Sequence, residues 1–145
     1  VPGISYRIYW VRPLKVFEYW QLGYKYIQEA MVDPEYSTYT MADLLNKLLM
    51  EEMQLWIVSK NGAIIGIIVT EVYPVAAAKV CNILLVSGEE FENWRGPAIE
   101  MLKHFAKILK CDKLLANNGR PGWKKWASVS GFKVKSIAYE CSLGE

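Results

Sequence analysis

The sequence predicts an α/β domain of the α+β type: a mixed, largely antiparallel central sheet with helices on both faces. Three observations carry that prediction. Two β-rich runs, 54–60 and 63–70, flank Asn61-Gly62, the strongest short-range hairpin signal. A further strand, "KVCNILLVS" (79–87), can continue the hairpin as a meander. An amphipathic helix over 97–110 then leads to the short strand "CDKLLA" (111–116), so a crossover follows the meander.

The remaining elements fit around this centre. "SYRIYWV" (5–11) has the aromatic and β-branched composition of a strand. Leu14, Phe17, Gln21, Tyr24, Ile27 and Met31 mark one helical face, and "DPEYSTY" (33–39) reads as a loop. "TMADLLNKLLMEE" (40–52) predicts a helix with Thr40 as N-cap, Asp43 as its short capping-box partner, and then Leu44, Leu45, Leu48 and Leu49 as its apolar positions. In the 97–110 helix Pro97 suits the first turn, Ala98, Met101, Leu102, Phe105 and Leu109 form the apolar stripe, and Glu100, Lys103, Lys107 and Lys110 face water. "NNGRPG" breaks the chain, "WKKWASVS" (123–130) predicts a short helix, and "GFKVKSIAYECSL" supplies one or two closing strands.

Composition excludes several classes. At 145 residues, half of them apolar and 22% charged, the chain is a single domain able to bury a core, neither disordered nor fibrous. Its longest apolar runs, such as "AIIGIIVT" (63–70), are strand-length and far short of a membrane span. The first residues lack the layout of a signal peptide, so secretion by that route is not expected. Cys81, Cys111 and Cys141 are odd in number and lack metal-type spacing, and His104 is the sole histidine, so no metal site is expected. The net charge of +2 is unevenly spread: residues 103–135 hold nine Lys/Arg against Asp112 alone, a local +8, and the remainder carries −6. That third of the chain suits an anionic partner, with a solvated lysine face as the alternative.

The order β, α, α, hairpin, β, α, β, α, β, with two local features, resembles the GNAT superfamily of acyl-CoA-dependent N-acetyltransferases over roughly residues 40–140. The features are "LWIVSKNGAIIGIIVTEV" (55–72), like the family's second and third strands, and "GWKKWASVSGFK" (122–133), like its last helix and following Gly-Phe. More narrowly, "EEMQLWIVSKNGAIIGIIVTEV", "AIEMLKHFAKILKCDKL" and "NGRPGWKKW" are similar to small GNAT-like proteins of tailed phages.

In GNAT enzymes the junction after the fourth strand reads approximately Arg/Gln-x-x-Gly-x-Gly/Ala, and its amides bind the CoA pyrophosphate. The nearest match here is "NWRGPA" (93–98), which makes Arg95, Gly96 and Ala98 the implied cofactor-binding residues if acyl-CoA binds. Asn93 stands where Arg or Gln is expected, and Pro97 has no N–H to donate. Glu89, Glu90 and Glu92 lie just upstream. Each acid–phosphate charge pair would cost about 1 kcal/mol at roughly 4 Å in water. Acids at a helix start are otherwise stabilising. The junction resembles a lost cradle.

The resemblance also calls for a base that deprotonates the acceptor amine and an acid that reprotonates the leaving thiolate. Glu71, ending the third strand, is the candidate base, with a solvated edge residue as the alternative. Tyr139 falls in a closing strand, and where the last helix should offer a Tyr it carries Trp123 or Trp126, whose indole is no proton donor at useful pH. His104, one turn after Glu100, reads as half of a surface pair. Arg120, Trp123, Lys124 and Trp126 mix indoles with cations, as interface hot spots do, and are the candidate partner-binding residues. Core packing of at least one Trp is the alternative.

These observations favour a non-catalytic GNAT-fold protein acting through other protein subunits as a phage virion or assembly component, in the virion or the host cytoplasm. No cofactor and no membrane are expected on that reading. The alternative is an acetyl-CoA-dependent N-acetyltransferase, and a second is nucleic-acid binding through residues 103–135.

Overall fold

A computed structural model describes residues 3–31, 39–116, 127–128, 130–134, 141 and 143. Its elements are β1 (Tyr6–Val11), α1 (Pro13–Leu22), α2 (Tyr24–Met31), α3 (Met41–Leu49), β2 (Met53–Lys60), β3 (Ala63–Val75), β4 (Ala78–Gly88), α4 (Phe91–Ile108) and β5 (Lys113–Leu115). The strands form one sheet in the order β1-β2-β3-β4-β5. The first four pair antiparallel, and β5 joins β4 in parallel after the α4 crossover. The predicted mixed, largely antiparallel sheet is therefore present.

Helices cover both faces. On one, Val16, Trp20, Ile27, Leu44 and Leu48 of α1–α3 pack on Leu55, Ile57, Ile67 and Val69. On the other, Trp94, Ala98, Ile99, Leu102 and Phe105 of α4 pack on Trp56, Val58, Ile68 and Ile83. Because β2 is covered on both sides, all but its last residue are buried, which explains its unbroken apolar run. At the β2–β3 turn Asn61 and Gly62 take φ of 49° and 88°, the left-handed values a two-residue hairpin turn demands. The Thr40–Asp43 capping box forms as expected, with bonds of 3.0 and 3.2 Å.

Four boundaries differ from the sequence expectation. The single helix from 14 to 31 is two helices: the chain bends at Gly23, where a Cβ would come within 3.2 Å of Ile67 Cγ2 on the sheet. The helix expected over 40–52 ends at Leu49, with Glu51 turning into β2 at a φ of 62°. β3 continues through Pro74 to Val75, past the end of its β2 pairing at Glu71, so the missing N–H of Pro74 breaks no β2 bond. α4 begins at Phe91, six residues before Pro97, because its apolar stripe includes the fully buried Trp94. Of the region after β5, Ala127 and Ser128 are helical and Phe132 packs against the α4 core. The rest of the expected last helix and closing strands lie outside the described residues.

Candidate active site at the end of β4

β5 accompanies β4 only from Val80 to Asn82. Just beyond, the β3–β4 register passes from Thr70↔Ile83 to Val69↔Leu85, which leaves Leu84 as an extra residue. Such a bulge bends and twists its strand. Its side-chain signature is that Leu84 and Leu85 both enter the α1–α3 core, while Ile83 and Val86 belong to the α4 layer. Among the described residues β4 then runs on to Gly88, while its pairing with β5 stops at Asn82↔Leu115. On the α4 side of this stretch of β4, Ile68, Ile83, Val86, Phe91, Trp94 and Arg95 line a shallow apolar groove of about 20 Å³ that is open to solvent.

The turn from β4 into α4 is built on glycine and tryptophan. Gly88 has a φ of 155°, and a Cβ there would lie 2.6 Å from Gly66 Cα and from Ile65 O. Trp94 fills the remaining space over this glycine pair, and its Nε1–H donates to Glu89 O at 2.7 Å. Glu90 is the helix N-cap in left-handed conformation, with a φ of 57° and no side-chain cap bond.

Its carboxylate turns aside instead, accepting from Lys60 Nζ at 2.9 Å and from Tyr6 Oη at 2.9 Å. Glu89 accepts from the Tyr26 hydroxyl, and its N–H donates to Ile65 O at 2.8 Å. Two of the three acids thus fasten the junction to β1, β2 and α2, which corrects their assignment as bare helix-start charges. Glu92 remains in the first turn.

The Lys60 hydrogen bond, and then that of Tyr6, hold the Glu90 carboxyl below its ordinary range, and Glu90 in turn raises Lys60. Burial, followed by the bond to Glu89, pushes the Tyr26 phenol up to about 12. A depressed carboxyl stabilises the fold above its unfolded pKa and loses that contribution as pH falls through the folded value. Glu90→Gln is therefore expected to lower Tm at about pH 7 and to lower it by less at about pH 3. Thermal melts at both values check this. An equal deficit at both would remove the ion pair from the account.

The sequence-predicted site residues are dispersed. Gly96 and Ala98 lie in the second turn of α4, where helical amides point at carbonyls four residues back. This corrects their placement at a helix start, and Pro97 stands inside the helix. Ala98 is buried, Gly96 faces open space, and Arg95 lines the groove. Glu71 lies one residue from the bulge and accepts from Asn82 Nδ2 at 3.0 Å. Its parity with Ile67 and Val69 puts it on the α1–α3 face, so the sheet separates it from Arg95 and Ala98. Arg120, Trp123, Lys124, Trp126 and Tyr139 lie outside the described residues. Of the basic third, Lys103 donates to Ser130 O at 2.9 Å.

Sequence reasoning missed Asn82, which orients Glu71, and the pair Glu29–Ser87, bonded at 3.3 Å between α2 and the end of β4. The spacing of Tyr26 and Glu29, one helical turn apart, was the available signal.

Comparison with solved structures agrees with this architecture. An aminoglycoside acetyltransferase from an uncultured soil metagenomic sample matches with a TM-score of 0.69 at 10% identity, covering 96% of this chain and 97% of that one. Glucosamine-6-phosphate N-acetyltransferase from Arabidopsis thaliana matches at 0.67 and 13%, covering 97% and 99%. An aminoglycoside N-acetyltransferase solved in complex with CoA matches at 0.63 and 15%, covering 99% of each chain. The fold is that of the GNAT acetyltransferases. No protein-family model and no curated protein matches the sequence.

The GNAT fold was the implication of the sequence resemblance, but the narrower phage-type reading gains no support. These neighbours are acetyltransferases, and none of them is a virion or assembly protein, so the non-catalytic virion or assembly role is corrected. Among the described residues no helix is long and apolar enough to cross a membrane.

Proposed function

We propose that this GNAT-fold protein is an acetyl-CoA-dependent N-acetyltransferase. The observation that carries the reading is the Leu84 bulge, beyond which, among the described residues, β4 outruns β5 beside an apolar groove. An extended chain bearing amides can lie along a strand edge and bond to it as an added strand does. The pantetheine arm of CoA is such a chain, and Ile83, Val86 and Phe91 offer its apolar parts a wall. Toward the nucleotide end, the first turn of α4 and Arg95 supply positive potential. Lys60 offsets Glu90 and Tyr26 occupies Glu89, so less repulsion remains than the sequence suggests. The residues present fit the group, with Glu92 acting against it.

Acetyl-CoA would supply the acetyl group as an activated thioester. Glu71 lies on the α1–α3 face, across the sheet from Arg95, so as the base it requires the acetyl group to reach past the β4 edge beyond Asn82. There its carboxylate, oriented by Asn82, accepts the proton of the acceptor amine directly or through one water. Calorimetry should show saturable acetyl-CoA binding, and thiol release should rise when amines are added. Arg95→Glu, a charge reversal at the groove, is expected to weaken binding about tenfold. Absence of binding at about 1 mM acetyl-CoA would overturn the assignment.

A further inference from the structure

At the end of the sheet opposite Gly88, the last residues of β1, the first of β2 and the end of α4 surround a second cavity. It holds about 130 Å³ and lies between Trp10, Met53, Gln54, Phe105 and Leu109, with Glu51 at its rim. Trp10 and Phe105 form an edge-to-face pair with ring centroids 5.5 Å apart. The space is open to solvent, and its volume is close to the ~150 Å³ of an enclosed apolar cavity known to take up benzene.

Two polar side chains, Glu51 and Gln54, line this space beside the aromatic wall, and the second is nearly buried. Trp56 Nε1–H donates to Thr70 Oγ1 at 3.0 Å, and the Thr70 hydroxyl donates to Gln54 Oε1 at 2.8 Å. Indole only donates, so Thr70 must accept from Trp56, and its single proton goes to Gln54. Reversing the Gln54 amide would leave the fully buried Thr70 hydroxyl without that acceptor. The chain of bonds therefore fixes the amide with its oxygen inward and its nitrogen toward the cavity. Gln54 is only 9% exposed, yet Nε2 donates to no group among the described residues. Nor is it sealed from solvent, since no buried side-chain nitrogen or oxygen lacks a partner. A solvent-reaching donor held rigidly on a side chain that is nine-tenths buried, beside an aromatic wall, is a feature of ligand sites.

We propose that this cavity binds a small single-ring compound through a carbonyl or similar acceptor, taken by Gln54 Nε2, with a donor group of the ligand at Glu51. The site is separate from the β4–α4 groove and does not depend on acyl transfer.

The test titrates isotopically labelled protein with benzamide, whose ring suits the Trp10–Phe105 wall and whose amide offers both an acceptor and a donor. The Gln54 side-chain amide and Trp10 indole resonances should shift and saturate with a Kd on the order of 1 mM. Gln54→Met should weaken binding about tenfold. Because that change also strips Thr70 of its acceptor, Leu109→Trp at the rim is the independent variant. Its indole should close the cavity and abolish the shifts while circular dichroism remains native. Saturating acetyl-CoA should leave the benzamide Kd unchanged. No saturable shift by about 10 mM benzamide, or an unchanged Kd in either variant, would overturn the proposal.

Discussion

Trp94→Ala is expected to lower stability by about 3–5 kcal/mol, within the range for truncating a fully buried tryptophan. Trp94 has 0% exposure and contributes to the α4 core, so its loss leaves a cavity between helix and sheet. It also removes the 2.7 Å bond to Glu89 O at the strand–helix turn. Urea unfolding should show a lower midpoint with the slope unchanged, as for a stability change without a change in surface exposed. Trp94→Phe should recover part of the packing but not the bond, and so fall between the two. A loss below about 1 kcal/mol for the alanine variant would mean that the turn holds without its indole.

Gly88→Ala comes second, at about 3 kcal/mol or more, since overpacking and an unfavourable backbone conformation act together. The added Cβ would meet backbone atoms, Gly66 Cα and Ile65 O, each at 2.6 Å, and neither can swing aside as a side chain can. β4 would have to leave β3 at its last register pair, Gly66↔Gly88. The same shift would move the start of α4 and the groove beside it. The variant should therefore lose stability and acetyl-CoA binding together. Near-wild-type unfolding for Gly88→Ala would show that the close approach is not required.

What the sequence announced correctly was local. Asn61-Gly62 marked its hairpin because few residue pairs accept two successive positive φ values. Thr40 and Asp43 marked a helix start because their bonds close within four residues. Pro97 misled for a related reason. Proline favours a first turn, but favouring is weaker than burying an indole, and Trp94 drew the helix six residues upstream. Glu89 and Glu90 were legible only as charge. Their partners Tyr26, Tyr6 and Lys60 are 63, 84 and 30 residues away along the chain.

By itself, then, the sequence determined the kinds of element and their order as far as β5, apart from the division of 14–31 at Gly23, and hence the mixed sheet with helices on both faces, because hydrophobic periodicity and turn chemistry act over a few residues. The tertiary structure alone decided the Leu84 bulge, the register of β4 with β5, the pairing of Glu71 with Asn82 and the outward-facing amide of Gln54. Each depends on strand register. Register is the joint outcome of packing on both faces, so no single segment of the chain carries it.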